Sequence, residues 1–293
     1  MAPYDSPPVS CYLCGADQPQ PFYHENGYPY YRCKACGLLS LWPQPSADDL
    51  HDHYQEYLPL SAQEVEEWGF EMAPVIDSSA NFLGRHFPEA GRLLDIGCGY
   101  GFFLEAMARR EWQVEGIELS KPAAEIARAK KIGTIHSCAV EEMEDIGLFD
   151  VVTMFYVIEH VADPLQTLRN VAKLLKPGGV LVLRYPNTSP LLKFSGKLAR
   201  SLKLMQAPSH LFDYAENSMD LLLQKAGYGS CLTSIDANTR SPHLVRRFIS
   251  CYIGLVPVLV ARLSQGRFLL PGYSRVSYAS LDAGKFKRKL DDR

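Results

Sequence analysis

The sequence has no excess of basic residues and no long apolar run. Its 30 lysines and arginines are outnumbered by 33 aspartates and glutamates, giving a formal net charge of −3, so we expect no nucleic-acid partner. The first residues are polar and irregular, so we expect no signal peptide. The apolar run at 248–261 has about 14 residues, whereas ~20 are needed to cross a bilayer. Together these absences favour a cytoplasmic protein.

Four of the eight cysteines lie close together near the start of the chain. They form two C-x-x-C-G motifs with 18 residues between the motifs' facing cysteines. Four thiolates saturate Zn²⁺ tetrahedrally and leave no position for a water, which is typical of a structural site. A disulfide pair and a redox dithiol are the alternatives, and disulfides fit poorly with the scattered single cysteines elsewhere. We expect a structural zinc ribbon whose ligands are Cys11, Cys14, Cys33 and Cys36.

The chain is organised around a buried strand at 93–96 that runs into Gly97, Gly99 and Gly101. Glycine turns the backbone sharply and lets a ligand approach the main chain closely. Apolar residues at helical spacing follow, so a helix opens directly after the turn. A strand, a glycine loop and a helix in this order are typical of the nucleotide-binding crevice of an open parallel sheet.

Two carboxylates indicate what this crevice binds. Glu118 ends the next apolar strand, where a carboxylate can accept hydrogen bonds from both hydroxyls of a ribose. Asp95 lies at the mouth of the first strand, where it would repel a pyrophosphate but suits a ligand with a positive centre and an amine. The pair favours S-adenosylmethionine over NAD.

From residue 92 to about 235, strand patterns and helix patterns alternate. This alternation implies a parallel α/β sheet with right-handed crossovers. We expect three parts: a zinc ribbon at 1–42, a helical linker or lid at 43–90, and the α/β domain at 91–293.

At these motifs the chain resembles the class I S-adenosylmethionine-dependent methyltransferases, over about residues 90–235. It resembles in particular the branch that contains ubiquinone-biosynthesis O-methyltransferases, and the cysteine-rich segment in front is similar to that of sugar methyltransferases. The resemblance implies a doubly wound, Rossmann-like sheet of seven strands, six parallel and one antiparallel. The matching segments are Leu94–Gly101, Gly116–Glu118, Phe149–Val152, Ile158–Pro164 and Leu175–Gly179.

The resemblance also implies which residues hold the cofactor. The glycine loop would approach the methionine part, Glu118 would hold the ribose, and Asp95 would orient the loop or the ligand amine. Positions after the next strands would flank the adenine and face the methionine part. The expected cofactor-binding residues are Asp95, Gly97, Cys98, Gly99, Tyr100, Glu118, Leu119, Ala139, Val140 and Phe155.

Two histidines are candidates for the base that removes a proton from the methyl acceptor. His160 lies just past the fourth strand, next to Glu159, and the alternative is a structural histidine that packs the loop. His210 follows the fifth strand, where members of the family place substrate contacts, and the alternative is a histidine of a surface loop.

Residues 239–272 form an expected insertion in the α/β domain. Its apolar run is predicted to be a buried helix of a substrate cap, an interfacial membrane helix or a dimer contact. The basic residues around it make peripheral membrane contact through 246–262 one option.

We therefore expect an enzyme that methylates a small molecule, with a lipid-linked or saccharide acceptor as options and oxygen favoured over carbon. The alternatives are a scaffold that binds the cofactor without turnover and an RNA-modifying methyltransferase. The acidic charge balance argues against RNA.

Overall fold

The computed structural model describes residues 7–143, 146–188, 190–192, 203–237, 239–240, 256–261, 263–264, 269–270 and 274–286. Most of the insertion expected at 239–272, and most of the 246–262 segment, lies outside these residues. The described part of the chain contains no helix long and apolar enough to cross a membrane.

A seven-stranded sheet forms the centre of the molecule. Its strands lie in the order β6-β5-β4-β7-β8-β11-β10, and β11 is antiparallel to both of its neighbours. Six parallel strands and one antiparallel strand are the arrangement predicted from the sequence, so the predicted fold class is confirmed. The bounds are β4 Arg92–Ile96, β5 Gln113–Ile117, β6 Thr134–His136, β7 Phe149–Phe155, β8 Leu175–Tyr185, β10 Ser230–Ser234 and β11 Arg275–Ser280.

Helices cover both faces of this sheet, as parallel strands require. The core strands are close to continuous apolar runs, with Leu93, Leu94, Val151 and Val152 completely buried. The bounds are α1 Ala47–Tyr57, α2 Ala62–His86, α3 Phe102–Ala108, α4 Lys121–Ala129, α5 Pro164–Lys173 and α6 Glu216–Lys225.

The segment expected to be helical between 43 and 90 consists of two helices with a break between them. The hydroxyl oxygen of Ser46 caps the first by accepting from the amide of Asp49, and Ser61 caps the second by accepting from Glu64. Pro59 lies in the break, where its missing amide N–H and its ring disfavour a continuous helix.

A second, four-stranded antiparallel sheet contains the cysteine-rich segment. Its order is β1-β2-β3-β9, and the last strand comes from far along the chain. The apolar residues Leu13 and Leu38 of this segment belong to the same buried cluster as Ile158 and Leu211. The bounds are β1 Gln20–Glu25, β2 Tyr28–Arg32, β3 Leu39–Leu41 and β9 Phe212–Asp213.

Candidate active site

The glycine loop connects β4 to α3 through three residues with positive φ. Gly97 has φ +72°, and a Cβ atom there would clash with the Val157 side chain. Gly101, with φ +74°, is the N-cap of α3. Glycine is the residue that adopts this conformation without a steric penalty, so the sequence determines the sharp turn at this edge of the sheet.

Glu118 holds the loop against the end of β5. One carboxylate oxygen accepts from the amide of Gly99 at 2.8 Å, and the other accepts from the amide of Ser120 at 2.8 Å. Each carboxylate oxygen has two acceptor positions, so both can still accept from a hydroxyl. Burial raises the pKa of Glu118, and the two amide donors oppose that shift.

Asp95 is a buried carboxylate at the end of β4, with 3% of its surface exposed. The hydroxyl of Thr153 donates to its Oδ1 at 2.5 Å. Burial and, to a smaller extent, the charge of Glu118 raise its pKa to about 7, against the opposing effect of the Thr153 hydrogen bond. A cation beside Asp95 would favour its ionised form.

A pocket lies between the loop and α2. One face of α2 forms its roof, because three of the lining side chains are four residues apart on that helix. A single carboxylate among aromatic rings fits a cationic ligand such as a sulfonium. The lining residues are Trp68, Met72, Ile76, Asp95, Gly97, Cys98, Phe103 and Phe155.

The other residues predicted to bind the cofactor follow the glycine loop or the ends of the neighbouring strands. Tyr100 is completely buried and packs edge-on against Trp68, with ring centroids 5.3 Å apart, so it supports the roof rather than lining the pocket. Leu119 follows β5 and is 41% exposed. Ala139 and Val140 begin a short 3₁₀ turn after β6. The structure thus brings the carboxyl ends of β4, β5, β6 and β7 together at one edge of the seven-stranded sheet.

The two candidate bases lie side by side. The rings of His160 and His210 are edge-to-face with centroids 4.8 Å apart. Nδ1 of His160 lies 2.9 Å from the carbonyl oxygen of Ser209. A carbonyl only accepts, so Nδ1 carries the proton and Nε2 keeps its lone pair. Burial lowers the pKa of His160 to about 4 and that of His210 to about 3, so both imidazoles are neutral near pH 7.

Glu159 completes this cluster, and the sequence reasoning did not single it out. Its side chain is completely buried, and neither carboxyl oxygen has a partner among the described residues. A carboxyl oxygen and one nitrogen from each of His160 and His210 lie within 4.8 Å of one another. Burial raises the pKa of Glu159 to about 8. In the sequence, the local indication of this cluster is that Glu159 directly precedes His160.

Helix α1 also contributes groups that the sequence did not predict. Nε2 of His53 lies 2.6 Å from the Ser209 hydroxyl, and the Tyr54 hydroxyl donates to the carbonyl oxygens of His160 at 3.1 Å and Ser209 at 3.2 Å. Nε2 of the Gln55 side chain donates to the carbonyl oxygen of Leu119 at 3.0 Å. Helix α1 therefore contacts both the histidine cluster and the cofactor edge.

Tyr156, between the pocket and the histidines, has an unusual backbone. Its φ is +58°, a conformation that costs free energy for a bulky residue and tends to occur at functional sites. Its amide donates to the carbonyl oxygen of Arg184 at 2.8 Å. This turn directs the chain from the end of β7 towards Glu159 and His160.

The four cysteines of the ribbon converge on one point. Their sulfur atoms lie within 4.8 Å of one another, with Cys11 to Cys36 at 3.7 Å and Cys14 to Cys33 at 3.5 Å. All four are free thiols. A tetrahedral zinc site with Zn–S bonds of ~2.3 Å has sulfur–sulfur edges of about 3.8 Å, so this donor set fits Zn²⁺.

A family profile described as a methyltransferase domain matches residues 68–229, which is more than half of the chain. The chain belongs to this family, and the predicted class I S-adenosylmethionine-dependent methyltransferase is confirmed. The fold and the donor set of the pocket agree with that cofactor.

Curated relatives match over part of their length. The chain is 34% identical over 135 residues to the ubiquinone biosynthesis O-methyltransferase of Alkalilimnicola ehrlichii, covering 44% of this chain and 55% of that protein. It is 40% identical over 110 residues to the enzyme of the same name from Xanthomonas axonopodis pv. citri, covering 35% and 46%. The chain spans about half the length of the curated relatives it matches.

Solved structures share the fold. A SAM-dependent methyltransferase of Thermotoga maritima, described as a possible histamine N-methyltransferase, is 19% identical with a TM-score of 0.51, covering 80% of this chain and 100% of that one. The 1,6-didemethyltoxoflavin-N1-methyltransferase of Burkholderia thailandensis, with S-adenosylhomocysteine bound, is 14% identical with a TM-score of 0.54, covering 90% and 100%.

Proposed function

We propose that the protein transfers the methyl group of S-adenosylmethionine to a hydroxyl group of a small molecule. The observation that carries the proposal is the contact between two neutral histidines, His160 on the loop that continues from Phe155 and His210 on the segment before β9. The bound cofactor supplies a methyl group already activated by the positive sulfur, so the protein has to align the acceptor and exclude water.

The cofactor would be held by the residues at the strand ends. Glu118 keeps acceptor capacity for the two ribose hydroxyls, and Asp95 is the carboxylate among the described residues that line the pocket, where it would face the positive sulfur. The side chains of Trp68, Met72 and Ile76 on α2 close the pocket from above. This arrangement excludes water from the methyl group.

The acceptor hydroxyl would lose its proton to a neutral imidazole. Nε2 of His160 is the unprotonated ring nitrogen, because Nδ1–H donates to the Ser209 carbonyl, and His210 lies beside it. A bound cofactor would supply the methyl group for the new C–O bond, and the imidazole would accept the O–H proton that the acceptor oxygen loses. The names of the curated relatives support oxygen as the accepting atom.

The ribbon would hold one structural Zn²⁺ through Cys11, Cys14, Cys33 and Cys36. Four sulfur ligands leave no open position, so this metal takes no part in the methyl transfer. Its role would be to fix the fold of the segment that contacts the acceptor side.

A methyl-transfer assay tests the proposal. The purified protein is incubated with S-adenosylmethionine labelled in the methyl group and separate panels of hydroxylated aromatics, saccharides and amines. We expect label in a hydroxyl panel, a loss of about 100-fold in His160→Ala or His210→Ala, and unchanged cofactor affinity in both variants. Transfer to amines alone would contradict the hydroxyl acceptor, and no binding of the cofactor would contradict the whole proposal.

A further inference from the structure

The segment that carries His210 belongs to the ribbon sheet as well as to the catalytic domain. Strand β9 pairs with β3, with Leu39 opposite Asp213 and Ser40 opposite Phe212. The amide of Leu41 donates to the carbonyl oxygen of Leu211 at 2.8 Å. The chain just before β9, residues 205–211, which we call the acceptor loop, is therefore fixed at its far end by the ribbon.

Glu25, the last residue of β1, binds the near end of the acceptor loop. It is 4% exposed, and its two carboxylate oxygens accept from the amides of Met205 at 3.2 Å and Ala207 at 2.9 Å. Asn26 donates from its side chain to the carbonyl oxygen of Ala207 at 2.9 Å. Hydrogen bonds to a buried carboxylate are among the stronger ones in proteins, so this end of the loop is held firmly.

Tyr30 binds the histidine itself. Its side chain is completely buried, and its hydroxyl donates to the carbonyl oxygen of His210 at 2.8 Å. On the other side of the acceptor loop, Nδ1–H of His160 donates to the carbonyl oxygen of Ser209. The positions of both imidazoles therefore depend on one loop that the ribbon holds from outside.

Among the described residues, no hydrogen bond joins the glycine loop to Glu25 or Tyr30. The amides of Gly97, Cys98 and Gly99 donate to the end of β5 and to Glu118. Changes at Glu25 or Tyr30 are thus expected to reach the acceptor side of the active site without disturbing the cofactor side.

We propose that Glu25 and Tyr30 are positioning residues of the acceptor site, and that the ribbon sets the geometry of the histidine pair. The ribbon is then a part of the active site, because it holds the acceptor loop through these two side chains. This inference rests on the proposed role of His160 and His210.

The variants Tyr30→Phe and Glu25→Gln test it, because each keeps the shape of the side chain and removes hydrogen bonding. Tyr31→Phe is the matched control: it makes the same chemical change one residue along β2, and Tyr31 makes no hydroxyl hydrogen bond to the described part of the acceptor loop. The measurements are hydrogen exchange of the amides of residues 205–211, ¹⁵N spectra of the histidine imidazoles, and calorimetry with S-adenosylhomocysteine.

We expect both variants to lose about tenfold in amide protection across the acceptor loop and to shift the imidazole signals of His160 and His210. Protection at 92–118 and the affinity for S-adenosylhomocysteine should stay within twofold of the wild type, and Tyr31→Phe should match the wild type in every measurement. Once an acceptor is identified, kcat of Tyr30→Phe and Glu25→Gln should be lower than that of the wild type, while KM for S-adenosylmethionine should be unchanged.

Wild-type protection and wild-type imidazole signals in both variants would overturn the positioning role, even if the enzyme methylates hydroxyl groups. Equal effects in Tyr31→Phe would also overturn it, since they would indicate a general effect on the ribbon. A wild-type protein that binds the cofactor but methylates no hydroxyl acceptor would overturn the proposed function instead.

Discussion

Arg184 on β8 and Asp236, two residues after β10, form an ion pair in which the arginine is buried and the aspartate partly exposed. Nη2 of the arginine lies 2.7 Å from both carboxylate oxygens, and Arg184 is 1% exposed. Ser78 on α2 donates to the same carboxylate at 2.8 Å, and Nε of Arg184 donates to the Ser79 hydroxyl at 3.0 Å. The pair therefore attaches the helix that roofs the cofactor pocket to the sheet beneath it.

Replacing Asp236 by Ala should destabilise the protein strongly. The change leaves a buried guanidinium without its carboxylate, which typically costs about 3–5 kcal/mol. Urea unfolding followed by circular dichroism measures the change in the free energy of unfolding. Glu125→Gln is the control, because Glu125 forms a largely exposed pair with Arg128 and such pairs contribute about 0–1 kcal/mol. A loss at Asp236 no larger than at Glu125 would contradict this account of the pair.

Glu118→Gln should weaken the binding of S-adenosylmethionine about 10- to 100-fold. The amide group of glutamine offers only one acceptor oxygen, so either the Gly99 or the Ser120 amide loses its partner and the ribose loses a charged acceptor. Calorimetry measures the dissociation constant. Glu115→Gln on the same strand is the control, because Glu115 pairs with Arg92 and His136 and not with the amides of Gly99 and Ser120. Equal losses in the two variants would contradict a direct role for Glu118.

The affinity for S-adenosylmethionine should rise with pH up to about 7 and then level off. Burial raises the pKa of Asp95 to about 7 in the free protein, so below that pH the carboxyl is neutral and must lose its proton before it can face a sulfonium. S-adenosylhomocysteine has no positive sulfur, so its affinity should depend less on pH. Calorimetry at pH 5.5, 7 and 8.5 with both compounds checks the difference, and parallel pH profiles would contradict it.

The same raised pKa has a consequence for stability without ligand. A folded state that binds an extra proton at Asp95 loses stability as the pH rises from the ordinary pKa of 3.8 to about 7, by at most about 1.4 kcal/mol per pH unit. Asp95→Asn should remove this contribution. Unfolding free energies of the two proteins at pH 5 and pH 7.5 measure it, and an unchanged difference between the two pH values would assign it to other groups.

The protein should contain one zinc ion per chain. Cys11→Ser should lose that metal and unfold the ribbon, since a structural zinc site contributes folding free energy directly. Elemental analysis measures the metal content. Cys138→Ser is the control, because Cys138 lies outside the ribbon as another free thiol, and it should keep the full metal content. A metal-free wild-type protein with an intact ribbon would contradict the prediction.

The sequence by itself determined the order of the strands and helices, the glycine loop, the two carboxylates at the strand ends and the four-cysteine motif. These are local patterns: the period of apolar residues, the glycines that allow positive φ and the spacing of C-x-x-C are all readable within a short window. The start of β8 is not readable in this way, because the strand begins at Leu175 and includes the turn-like Lys176–Gly179. Pairing with β7 and β11 extends that strand, and pairing partners are not visible in a local pattern.

Only the tertiary structure decided how the acceptor side is built. Glu25 meets Ala207 across 182 positions of sequence and Tyr30 meets His210 across 180. No periodicity connects residues so far apart, because their contact depends on the path of the whole chain between them. The shared burial of Glu159 with two histidines has the same origin, since desolvation is a property of the packed fold.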